Sequence, residues 1–238
     1  MGQVMGEVMS QVVDLRVDDS EMSCYLARPD FDASQGILVC MHGPGVDEFV
    51  RDICKRLAKE GYLAIAPDLY HRQGVQPIKP WTAVVDSESI RDMDAAINFL
   101  EESGDVRLGV LGFCMGGRLA FLELAHDHRL RTGVIFHGGN IMVAREESLP
   151  SALDQAPRIR ATVLGIFGDD DSNPSPEDKA KIEQRLKDVG VVHRFESYSG
   201  VGHAFLNFTR PNVYREKKAK LAWDSCIAWL DSEMRGSI

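Results

Sequence analysis

The segment Gly112-Phe113-Cys114-Met115-Gly116-Gly117 places a thiol between glycines spaced two residues to either side. This is the pattern of a nucleophile held on a sharp strand-to-helix turn, with cysteine where serine is more usual. Side chains at the two flanking positions would collide in such a turn, and Gly112 and Gly116 remove them. The helix that starts beneath the sulfur favours a thiolate. A thiolate nucleophile needs a base, and the base needs a partner that orients it. Along the chain the expected order is nucleophile, acid, histidine.

Asp169-Asp170-Asp171 and then Gly202-His203 follow Cys114 in that order. Gly200 and Gly202 leave the second loop free to swing His203 toward the sulfur. Position alone does not separate the three aspartates. Asp171 stands nearest the end of its loop, before Ser172-Asn173-Pro174 and a helix that Pro176 can enter at its first turn. Asp170 is the alternative, and Asp169 suits a solvated position or a turn cap.

Two backbone N–H groups must face the developing oxyanion. Met115, just after the nucleophile, supplies one. The loop His42-Gly43-Pro44-Gly45 supplies the other from Gly43, because Pro44 has no N–H. His42 is expected to line the site without serving as the base. Arg210, seven residues after His203, is the candidate for gripping an anionic group on the substrate. His137 follows a strand and suits a structural or pocket role, whereas His126 and His128 suit an exposed helix end. The sequence lacks histidine or cysteine spacings of a metal site, and glycine-rich loops of a nucleotide site.

These residues must be positioned by strands and helices that alternate almost from end to end. Strands are read at Val12–Val17 and Met22–Ala27, an opening hairpin around Asp18-Asp19-Ser20, then at Gly36–Met41, Tyr62–Ala66, Val106–Leu111, Thr132–Phe136, Ala161–Phe167 and Val192–Tyr198. Helices are read at Val46–Glu60, Ser87–Glu102, Cys114–Ala125, from about Pro176 to Val189, and at Asn212–Leu230. The stretch His71–Trp81, with Gly74, Pro77 and Pro80, reads as an excursion. The fold class is therefore α/β: a mostly parallel central sheet covered by helices on both faces, preceded by an antiparallel hairpin. Ligands of such sheets bind beyond the carboxyl ends of the strands, where the candidate residues lie.

With 238 residues, 44% of them hydrophobic, the chain fits one domain over 1–238, with 1–10 as a loose N-terminus. The net charge of −9 argues against nucleic acid as a partner. The apolar runs are too short for a membrane span, and no secretory signal opens the chain, so a cytoplasmic protein is expected. Its five cysteines, an odd number without a C-x-x-C pair, point to free thiols. Four of them sit in apolar or helical surroundings; Cys114 differs by its neighbours.

The chain resembles the dienelactone hydrolase (carboxymethylenebutenolidase) family of the α/β-hydrolase superfamily. The resemblance rests on Ala66-Pro67-Asp68-Leu69-Tyr70, Gly109–Gly117 around the cysteine, Gly168–Pro174, and Gly202-His203-Ala204-Phe205. It implies the α/β-hydrolase fold, no cofactor, and a Cys114–His203–Asp171 triad cleaving a small lactone or carboxylic ester through a thioester. Two positions depart from the family pattern. The glutamate that holds the cysteine in well-known members is replaced by His42, and an arginine expected four residues after the histidine is replaced by Asn207. A small-molecule ester or lactone is thus the expected partner of a monomer or homodimer. The alternatives are a non-catalytic binding or regulatory protein of the same fold, and a thiol that reacts with peroxide.

Overall fold

The computed structural model describes residues 7–73, 81–104 and 106–235. Eight strands form one sheet: β1 (Met9–Val17), β2 (Ser20–Arg28), β3 (Gln35–Cys40), β4 (Leu63–Pro67), β5 (Arg107–Phe113), β6 (Leu130–Phe136), β7 (Thr162–Gly168) and β8 (His193–Tyr198). Their spatial order is β1-β2-β4-β3-β5-β6-β7-β8. β1 and β2 form the antiparallel hairpin, β2 meets β4 antiparallel, and every pairing from β4 to β8 is parallel. β3, β4 and nearly all of β5–β7 are buried, which is why they read as unbroken apolar runs. This is the α/β-hydrolase architecture.

Five helices cover the sheet: α1 (Glu48–Lys59), α2 (Asp86–Glu102), α3 (Met115–His126), α4 (Pro176–Asp188) and α5 (Glu216–Arg235). Adjacent glycines show that helices lie on both faces. A Cβ on Gly36 would meet Leu100 of α2, whereas one on Gly109, paired with the next residue of β3, would meet Met234 of α5. Gly133 of β6 faces Leu124 of α3, and Thr132 beside it accepts from Trp229 of α5. α1 shares the α5 face, with Arg56 stacked 4.0 Å over Trp223. Local signals set the helix starts. Asp47 caps α1 by accepting from the Val50 N–H, and Ser175 with Asp178 forms a capping box ahead of α4.

Several boundaries move. The last helix begins at Glu216, not Asn212, because the intervening chain turns back on the Arg210 carbonyl and Arg215 bonds to the Phe205 carbonyl. Met9 and Ser10 belong to β1, so only residues 1–6 of the expected loose terminus lie outside the described residues. Within the expected excursion, His71–Gln73 and Trp81–Ala83 are short 3-10 turns, and 74–80 lies outside the described residues. Among the described residues no helix is long and apolar enough to cross a membrane.

One buried ion pair fastens the pieces around the carboxyl end of the sheet. Arg118, in the first turn of α3, bonds both carboxylate oxygens of Asp86 at 2.5 and 2.7 Å, and each residue is about 1% exposed. The same guanidinium donates to the carbonyls of Asn140 and Val143 at 3.1 Å. It thereby ties α2, α3 and the loop after β6 together. Removing one partner of such a pair leaves the other charge buried without compensation. Asp86→Ala should lower stability by about 3–5 kcal/mol in urea denaturation, far more than loss of the exposed Lys220–Asp224 pair.

Candidate active site

Cys114 stands where β5 ends and α3 begins, with φ 56° and ψ −118°. A residue other than glycine rarely holds this conformation, so the surroundings must enforce it. They do so by close packing. A Cβ on Gly112 would run into the Gly116 carbonyl, and one on Gly116 into the carbonyls of Cys40 and Met41. The Cys114 N–H is fixed by the Phe136 carbonyl at 3.0 Å. Of the five cysteines only Cys114 is partly exposed. Burial pushes the Cys24 thiol up to about 12 and raises those of Cys40, Cys54 and Cys226 well above the ordinary thiol range, so they remain protonated packing groups.

The loops after β7 and β8 are joined through their backbones. Asp169 N–H bonds to the Tyr198 carbonyl and Asp170 N–H to the Val201 carbonyl, both at 3.0 Å. This zipper exposes the side chains of Asp169 and Asp170 and turns Asp171 inward. Asp171 is the aspartate brought to the histidine: its Oδ2 lies 2.8 Å from His203 Nδ1. Its Oδ1 accepts the Asn173 N–H at 2.9 Å, which fixes the carboxylate plane. The remaining ring nitrogen of His203 is left for the Cys114 thiol. Burial opposes protonation of His203, but the hydrogen bond to Asp171 and the charges of Cys114 and Asp171 outweigh it and push its pKa up to about 10.

Gly43 and Met115, with Cys114, Asp171 and His203, line a cavity of about 220 Å³. Tyr70 donates to the Gly43 carbonyl at 2.6 Å and Gly45 N–H to the His42 carbonyl at 2.8 Å, so this loop is held in shape. His42 itself is a correction. Its side chain is absent from the cavity wall: it turns back into the protein, with Nε2 2.9 Å from Asp47 Oδ2 and its ring against Phe49. Arg210 is a second correction, exposed and away from the cavity because its backbone forms the turn that leads into α5.

The structure puts residues in the wall that sequence reasoning missed, namely Arg145, Trp81, Asn140 and Asn173. Arg145 donates to the Trp81 carbonyl at 3.2 Å and lies 4.8 Å over its ring. Among the described residues it makes no ion pair. Burial and the nearby Arg118 hold its pKa below the ordinary arginine value. Nothing in the local sequence marks Arg145, since it arrives on a long irregular loop whose path is set by Arg118. His137, read as a structural or pocket residue, is buried against His203 with ring centroids 4.6 Å apart. Burial, and then the neighbouring imidazoles, keep it neutral.

A model of the dienelactone hydrolase family matches residues 22–234. A Salmonella typhimurium protein provisionally named a carboxymethylenebutenolidase is 32% identical over 94% of this chain and 87% of its own. A Bradyrhizobium protein provisionally named a 2-oxo-3-(5-oxofuran-2-ylidene)propanoate lactonase is 29% identical over 92% of each. The crystal structure of a Klebsiella pneumoniae protein, provisionally named a dienelactone hydrolase, superposes with a TM-score of 0.85 at 31% identity, covering 94% of this chain and 98% of that one.

Two outcomes follow from the carboxylate geometry. Asp171→Asn should reduce turnover of an activated ester by about 10⁴-fold, the scale seen when a triad acid becomes an amide, while Asp170→Asn costs less than about threefold. In Cys114→Ala, the His203 pKa should fall from about 10, because the charge of Cys114 helps to raise it. Imidazole NMR titration reads the change directly.

Proposed function

We propose that this hydrolase of ester and lactone bonds, which belongs to the dienelactone hydrolase family, works through the sulfur of Cys114 and a thioester intermediate. The observation that carries the reading is the alignment of Asp171, His203 and Cys114 on one cavity wall, with the proton favoured on His203. The sulfur attacks the substrate carbonyl as a thiolate, and the resulting oxyanion meets the N–H groups of Gly43 and Met115. Collapse breaks the C–O bond. His203 gives its proton to the departing oxygen and Cys114 keeps the acyl group as a thioester. For a lactone that oxygen stays tethered to the same acyl chain. His203 next takes a proton from water, the hydroxide adds to the thioester, and the thiolate leaves with a carboxylate product.

Asp171 holds the imidazole in one tautomer and stabilises its charge. The neutral His137 ring packs against His203 without adding a second positive charge. The small cavity suits a compact acyl group. Arg145, unpaired at the wall, takes the role expected of Arg210 and meets an anionic substituent of the substrate in bidentate fashion. Peroxide chemistry fits less well, since the other four thiols are buried and none is offered as a resolving partner.

Cys114→Ala should abolish turnover of small lactones and activated esters and leave the urea midpoint within error of the parent. Mass spectrometry of the parent, quenched with a slow ester, should show one added acyl group that the variant lacks. An acylated variant, or parental rates without Cys114, would assign the nucleophile elsewhere. Arg145→Ala should raise KM about 10-fold or more for carboxylate-bearing esters and leave neutral esters near the parent value. Equal effects on both substrates would make Arg145 a structural residue.

A further inference from the structure

The end of α3 opposite Cys114 gathers three carboxyl groups from two helices: Asp94 of α2, and Glu123 and the C-cap Asp127 of α3. One oxygen from each lies within 4.8 Å of the others. Glu123 is 0% exposed, and neither of its oxygens has a hydrogen-bond donor among the described residues. An ionised carboxylate buried in that state is costly unless a positive charge reaches it.

The neighbouring cations do not meet that need. Arg129 donates to both oxygens of Asp127, at 2.9 and 3.0 Å from Nε, and reaches Glu101 at 2.7 Å. Its guanidinium is thus committed to Asp127 and Glu101 and makes no hydrogen bond to Glu123. His126 Nε2 lies 3.4 Å from Asp94 Oδ2. Counting Glu101, four acids face one guanidinium and one imidazole. The last turn of α3 also presents the negative end of its dipole here, which favours a cation.

We propose that Asp94, Glu123 and Asp127 bind a hard divalent cation, calcium in preference to magnesium, which fastens α2 to the C-terminal end of α3. The donors are all carboxylate oxygens, the set that suits calcium, magnesium or manganese rather than a softer metal. The three oxygens, all within 4.8 Å of one another, are close enough to coordinate one such ion through Ca–O bonds of about 2.4 Å. Calcium tolerates irregular geometry and several carboxylates, whereas magnesium dehydrates reluctantly and usually takes one or two. The Asp94 side chain, 34% exposed, gives the ion and its waters a route in from solvent. Without a cation the alternative is a proton on Glu123, favoured first by burial and then by the Asp94 and Asp127 charges.

Thermal unfolding of the EDTA-treated full chain at pH 8 separates these states. Addition of millimolar CaCl2 should raise Tm by about 5 °C, with a smaller rise for MgCl2 and none for NaCl of equal ionic strength. Asp94→Asn, a partly exposed position that should not disturb folding, and Glu123→Gln should each lose the calcium shift. No shift in the parent, or an undiminished shift in either variant, overturns the site. A parent indifferent to calcium beside a Glu123→Gln variant that melts higher assigns the cluster to a shared proton instead.

Discussion

The structure depends on one steric constraint, the approach of the α3 backbone to the ends of β3 and β5 at Gly112 and Gly116. Only there can the chain reverse tightly enough to lift Cys114 out of the sheet in a conformation that side-chain-bearing residues avoid. The consequence spreads outward. With the backbones in contact, Met115 sits beside Gly43 at the mouth of one cavity, and the first turn of α3 lies close enough to α2 for Arg118 to meet Asp86. A methyl group at either glycine displaces the sulfur and the helix together, so chemistry and stability share this point.

The electrostatics are layered on that geometry. Cys114 and Asp171 flank His203, and both favour a positive imidazole against the pull of burial. His137, packed at its edge, resolves the same competition the other way: it has no carboxylate, so burial wins and the ring stays neutral. Two histidines 4.6 Å apart thus hold different charge states because only one of them touches an acid. The backbone bonds between the β7 and β8 loops make this contact reproducible, since they set where Asp171 lies relative to His203 before any side chain is placed.

Much of this was legible in the sequence where the constraint is local. The glycines around Cys114 announce the turn, the apolar runs announce a parallel sheet, and the order of Cys114, Asp171 and His203 follows from strand succession. The choice among Asp169, Asp170 and Asp171 was narrower, because it is settled by inter-loop hydrogen bonds that the sequence does not display. His42 was placed on the correct loop but not in the correct direction: the side chain follows Asp47, the cap of α1, rather than the cavity. Proximity in sequence to His203 favoured Arg210, whereas the arginine that the fold brings to the cavity wall is Arg145, from a loop tethered by Arg118. Asp94, Glu123 and Asp127 escaped notice for a related reason, since their meeting needs two helices packed side by side.

The tether through Arg118 also bears on how such a protein changes over generations. The groups proposed to make and break bonds follow the ends of β5, β7 and β8, whereas Arg145 and Trp81 reach the cavity from the segment after β6 and the one preceding α2. Arg118 holds the first of these segments through carbonyls, not side chains, so its grip is indifferent to which residues occupy the wall. Under the proposed mechanism, substitutions at 81 and 145 would remodel what is accepted without touching how it is cleaved. The fold separates inheritance of a reaction from inheritance of a diet, and lineages built on it can diverge in the second while the first stands still.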